Sequence, residues 1–176
     1  MDLFGFFSSS GSALVEFVYA SPFGIVVFFF YALFANATIF FPILVEPIVF
    51  AVAAFAPDPF TAVFVGIVAG VASAIGEMSG YIFGLLGVKT LQKMSKKRVE
   101  KIFELGESLA NKGIPIIFLG ALTPFPFDLL GIAAGLIKYS PKKFFAGALA
   151  GKTLRYVLIA VAGFYGLAWL KTALGI

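Results

Sequence analysis

Hydrophobic residues in this chain run in long blocks, and the polar residues gather at the joints between them. The first block, 13–35, exceeds the roughly 20 residues that cross a hydrocarbon core of about 30 Å, and predicts a transmembrane helix with Glu16 near its start. The second, 38–56, contains FFPILVEPIVFAVAAF. Pro42 and Pro47 each remove a backbone donor and crowd the preceding turn, so this block is expected to break. Asp58-Pro59 then reads as an N-cap followed by proline at the first helical position, and opens a transmembrane helix over 59–88 that is rich in small residues.

Past that helix the pattern changes. KTLQKMSKKRVEKIFELGESLANK carries seven basic and three acidic residues. Leu91, Met94, Ile102, Leu105 and Leu109 recur at helical spacing, and Lys97 or Lys101 can pair with Glu100 or Glu104. An amphipathic helix over 90–110 at the cytoplasmic surface is predicted, with a solvated loop as the alternative. The fourth block, 113–139, holds TPFPFDLLGIAAG, in which Pro124 and Pro126 interrupt the helix and Asp128 adds a carboxylate. Lys112 precedes this block and Lys138, Lys142 and Lys143 follow, so both ends belong on the cytoplasmic side and the segment is re-entrant. The flanks of the second block, 31–60, lack lysine and arginine, which makes it a second re-entrant element entering from outside. Ser140-Pro141 opens the last transmembrane helix, 141–171.

The expected fold is therefore an all-α integral membrane protein in one domain, 1–176. An inverted repeat of re-entrant helical hairpin plus transmembrane helix is joined by an N-terminal transmembrane helix and a cytoplasmic amphipathic helix. This topology puts the N-terminus inside and the C-terminus outside; five complete spans is the rival. Composition agrees with a membrane assignment. Of 176 residues, 61% are hydrophobic and 12% charged, with mean hydropathy +1.04, against about 45–50% and 25% in soluble domains. Residues 1–12 carry no lysine or arginine, and no cleaved signal peptide is expected. Cysteine and histidine are both absent, which removes thiolate and imidazole chemistry and the usual zinc sites. No enzyme, cofactor, metal or nucleic-acid partner is expected.

Two internal comparisons support the repeat. Pro42 precedes Glu46 by four residues as Pro124 precedes Asp128, and GEMSGY at 76–81 parallels GKTLRY at 151–156. Glu77 lies 11 residues before Val88 and Lys152 lies 11 after Pro141, so each sits about 16 Å from the cytoplasmic boundary, near mid-membrane. Arg155 is one turn further. Ionisable groups at that depth cost about 2.5–3.5 kcal/mol each on insertion scales and demand partners or water. Lys152 and Arg155 are the candidate binders of an anionic head group, and Glu46, Glu77 and Asp128 the candidate proton carriers. The bland alternative for Glu77 and Lys152 is an ion-pair staple. Gly66 and Gly70, then Gly76, Gly80 and Gly84, then Gly147 and Gly151 have the small-xxx-small spacing of close helix packing. Tyr165 and Trp169 suit the outer interface.

FFPILVE, GEMSGYIFG, IIFLGALTPFPFDLLGIAAG and GKTLRY, in that order, make the chain resemble the DedA family, within the wider VTT or SNARE-associated Golgi protein group. The resemblance implies opposed re-entrant hairpins and a role in moving lipids or lipid-linked phosphates across a bilayer. Its bacterial members are associated with undecaprenyl phosphate recycling and its eukaryotic relatives with phospholipid scrambling. Glu46 matches the acid of the first re-entrant motif and Glu77 the acid of Gly-acid-x-x-Gly-Tyr. Many bacterial members carry arginines around the second proline motif, where this chain has Ala121, Phe127 and Asp128, which shifts the cationic duty to Lys152 and Arg155. The expected function is a transporter of lipid or polyprenyl-phosphate head groups in the cell membrane, with proton coupling as an option. The alternatives are a proton-coupled small ion or solute transporter, and a structural membrane assembly factor.

Overall fold

A computed structural model describes residues 15–37, 45–87 and 95–174, and among these every regular element is helical. Pro42, Leu91 and Met94 lie outside the described residues. Within the first apolar block a helical stretch over 15–20 gives way to a turn at Ser21, Pro22 and Phe23, and α1 (Gly24–Ala37) follows. α2 (Val45–Ala54) carries Glu46 and Pro47 in its first turn, where a proline's missing N–H costs no helical bond.

α3 (Pro59–Gly76) begins as the cap-and-proline pair predicts. Asp58 Oδ1 accepts from the Phe60 and Thr61 amides at 2.9 and 3.0 Å, and Oδ2 from the Thr61 hydroxyl at 2.6 Å. The hydroxyl and these amides hold the Asp58 carboxyl below the usual carboxylate range. α4 (Met78–Leu85) continues α3, and Pro59–Leu85 is long and apolar enough to cross a membrane. The helical ladder tightens between the two: Glu77 N–H reaches Ser73 O at 2.9 Å, whereas Gly80 N–H turns to Glu77 O at 3.2 Å.

α5 (Lys96–Lys112) buries Ile102, Gly106 and Leu109 along one stripe and exposes its charged remainder. Gly113, at φ 65 and ψ −138, makes the sharp corner into α6 (Ile114–Leu122), a conformation that side chains resist. Residues 123–126 then turn the chain into α7 (Phe127–Leu136), and Leu130 and Phe127 fold back beside Gly120. Lys138 closes α7 in the left-handed region at φ 53. The Tyr139 amide bonds Ala134 O at 2.8 Å and the Lys138 amide bonds Gly135 O at 3.0 Å, the paired contacts of a Schellman motif. α8 (Pro141–Leu174) is the second helix able to cross a membrane, through Pro141–Leu167.

α3 and α8 form the centre. Gly66 and Gly70 lie directly on the backbone of Tyr156, Val157 and Thr153. α1 packs on α3 and α6 on α8, while α2 packs on α8 and α7 on α4. The α4–α7 seam is the tightest: a methyl on Gly84 would strike the Ile132 carbonyl, and one on Gly135 that of Tyr81. One core gathers Phe28, Val49, Val65 and Tyr156; another gathers Tyr81, Ile117, Phe127 and Phe144. The outer surface is also apolar, with Phe23, Phe34, Phe60, Phe64 and Trp169 exposed, as suits a lipid-facing exterior.

Candidate functional site

Where the proline-bearing segments meet the two long helices, the fold forms an open cavity of about 310 Å³. Its wall is built from the junction of α3 and α4, the middle of α8, the end of α1, the start of α2 and the turn between α6 and α7. Glu77 stands at that junction. Gly76 lets the backbone of α1 approach on one side, and Gly80 lets Asp128 and Gly131 of α7 approach on the other.

Lys152 Nζ meets Glu77 Oε1 at 2.5 Å, and both residues are buried, at 4% and 5% exposure. The same ammonium lies 3.5 Å from Asn36 Oδ1 and 5.3 Å from the centroid of the Phe127 ring. Asn36 Nδ2 donates to Ser73 Oγ and to Ala32 O, both at 2.9 Å, so α1, α3 and α8 share one polar knot. Glu77 Oε2 is buried with no hydrogen-bond partner among the described residues.

Arg155, nearly one turn beyond Lys152, works as a fork. Its Nη2 meets Glu46 Oε1 at 2.7 Å and its Nη1 donates to Thr123 O at 2.8 Å. One guanidinium thus holds the first turn of α2 and the last carbonyl before the turn after α6. This pair is more open, with side-chain exposures of 15% for Arg155 and 33% for Glu46. Asp128 lines the same cavity from the first turn of α7, where the helix dipole favours a carboxylate. It forms no ion pair among the described residues. Three carboxylates therefore face two cations.

A family model, the VTT domain, matches residues 41–165. The chain belongs to the VTT-domain family. This is the domain of the DedA and SNARE-associated Golgi protein group, and with the two long apolar helices it makes the chain a membrane protein. Neither curated proteins nor solved structures give a match.

In this VTT-domain protein the matched segment contains the whole charge cluster. Lys152, Arg155, Glu46, Glu77 and Asp128 converge on one cavity, and Pro124 and Pro126 form its wall. Pro47 lies in α2 next to Glu46. Sequence reasoning passed over Asn36, Ser73 and Thr123. Asn36 had a signal, an amide inside the apolar stretch LFANATIF; Thr123 contributes through its backbone, which no side-chain pattern reveals. α5 adds a further cation: it lies along α7 and brings Lys101 Nζ to 5.1 Å from the Phe125 ring in the cavity-wall turn.

Proposed function

We propose that this cavity moves the phosphate-bearing head group of a membrane lipid or lipid-linked phosphate between leaflets while the tails stay in lipid. The observation that carries the reading is the contrast between the two ion pairs. Glu77 and Lys152 are sealed, and serve as the inner staple. Glu46 and Arg155 are partly open, and a phosphate oxygen can replace the Glu46 carboxylate on the guanidinium without unmaking the Thr123 bond. Lys101 supplies positive charge at the turn where an anionic head group would enter. The carboxylate in excess, with Glu46, Glu77 and Asp128 in one wall, supports a proton as the companion of the cargo.

The packing supports an inverted repeat as the moving frame. The first arm of each hairpin rests on its own half's long helix, α1 on α3 and α6 on α8, and the second rests on the other half's, α2 on α8 and α7 on α4. In this reading α1 is the first arm, so the first hairpin begins before residue 38. The arms have 14, 10, 9 and 10 residues, which at 1.5 Å each is about 14–21 Å, enough to reach the middle of a 30 Å core and return. The protein is then a multi-pass protein of the cell membrane with two opposed re-entrant elements.

In reconstituted vesicles, a head-group-labelled phospholipid should cross faster with the wild type than with Arg155→Ala or Glu46→Gln. For Arg155→Ala the expected loss is about tenfold or more, the scale of a charge-assisted hydrogen bond of 1.5–3 kcal/mol; for Glu46→Gln the loss is that of a proton carrier. Equal rates would overturn the roles of these residues. Solute uptake that depends on pH, without lipid movement, would turn the reading to a small-solute transporter.

A further inference from the structure

A shallow surface trough, about 700 Å³, lies on a different face of α8 from Lys152 and Arg155. Val63, Ile67 and Val71 of α3 form one wall, and Ala146, Ala150 and Val157 of α8 form the other. Thr153 is the one polar residue in its lining. On α8 the wall runs from Ala146 to Val157, 11 residues further on, or about 16 Å, close to half of a 30 Å hydrocarbon core. Its length is that of one leaflet.

One helical turn before Ala146, on the same stripe of α8, stand Lys142 and Lys143. Both are exposed, and neither is paired with a carboxylate among the described residues. They occupy the first turn of a 34-residue helix, where unpaired N–H groups and the helix dipole add positive potential. An apolar trough one leaflet long, headed by two free ammonium groups, is complementary to one kind of molecule.

We propose that the α3–α8 trough is a binding site for a phospholipid with an anionic head group, the phosphate resting on Lys142 and Lys143 and one acyl chain running along Ala146 and Ala150 of α8 toward Val71 of α3. This lipid is a resident of the fold, separate from the charged cavity, and its binding does not require that the protein transport anything. A second copy of the chain fits the trough less well. A two-fold axis along the membrane normal would bring the lysine pairs of both copies toward each other, and like charges oppose that approach.

The test uses the full chain purified in detergent, mixed with phosphatidylglycerol or phosphatidylcholine of identical acyl chains, with retained lipid counted by native mass spectrometry. The wild type should retain the anionic lipid in roughly 10- to 30-fold preference, as two lysines near a membrane surface imply. Lys142→Gln with Lys143→Gln should abolish the preference while leaving the melting temperature unchanged. Ala150→Trp should fill the trough and reduce retention of both lipids; Val71→Phe, on the opposite wall, provides the same readout if the first variant does not fold. Equal retention of the two lipids by the wild type would overturn the proposal, as would a preference that survives the lysine substitutions. A wild-type dimer that trough-filling variants dissociate, with lipid retention unchanged, would assign the trough to a second copy instead.

Discussion

Replacing Lys152 by methionine removes the ammonium while keeping an unbranched stem of similar length. Glu77 then loses its partner at Oε1, and Oε2 already lacks one among the described residues, so a buried carboxylate is left with both oxygens unmatched. Removing one member of a buried pair costs about 3–5 kcal/mol, whereas replacing both by apolar groups is often neutral. Exposures of 4% and 5% place this pair in that regime. At about 2–4 °C per kcal/mol for a chain of this size, Lys152→Met should lower the melting temperature in detergent by roughly 6–20 °C, read by helical circular dichroism. Glu77→Met combined with Lys152→Met should recover most of the loss, with a coupling of about 2–3 kcal/mol between the sites. Strictly additive effects, or a single variant within about 1 kcal/mol of the wild type, would show that the pair is not the inner staple.

Two further outcomes follow from the caps. Lys138→Gly places at φ 53 a residue that suffers no Cβ penalty there, and should stabilise the fold by about 1 kcal/mol; an unchanged or lower melting temperature would refute the strain. Asp58 has its pKa held down in the folded state, so its contribution is fully present above the ordinary carboxylate value of about 3.9 and is lost as pH falls through the depressed one. Asp58→Asn should therefore flatten the fall of melting temperature below about pH 4, and parallel acid limbs for the two proteins would contradict the cap's role.

Cap-and-proline pairs were the most legible marks in the sequence, because Asp58-Pro59 and Ser140-Pro141 act on their own neighbours and both helices start at those prolines. That Glu77 and Lys152 share one level was also legible, since helical rise turns residue counts into distance along each helix, and the two side chains meet. Partner choice across helices was not. Arg155 reaches Glu46 and the Thr123 carbonyl, and the Tyr81 hydroxyl donates to Tyr139 O at 2.5 Å, by contacts no local period encodes. The buried stripe of α5 was visible as a period, but its partner α7 was not, because amphipathicity does not say what a face is buried against. The tightened turn at Glu77 escaped for a related reason: GEMSGY fits a continuous helix, and the slip arises where neighbouring helices crowd in on Gly76 and Gly80.

The packing of α2 on α8 bears on the order of assembly. Glu46 and Arg155 are 109 residues apart, so at a synthesis rate of 5–20 residues per second the carboxylate leaves the ribosome roughly 5–20 s before its guanidinium. Glu77 waits for Lys152 across 75 residues. During that interval an ionised acid in bare hydrocarbon is unfavourable. α2 must therefore wait at the membrane surface, or beside an insertase that shelters it, and dock only after α8 has been threaded. Assembly of this protein then ends with α2, although α2 is translated before α8.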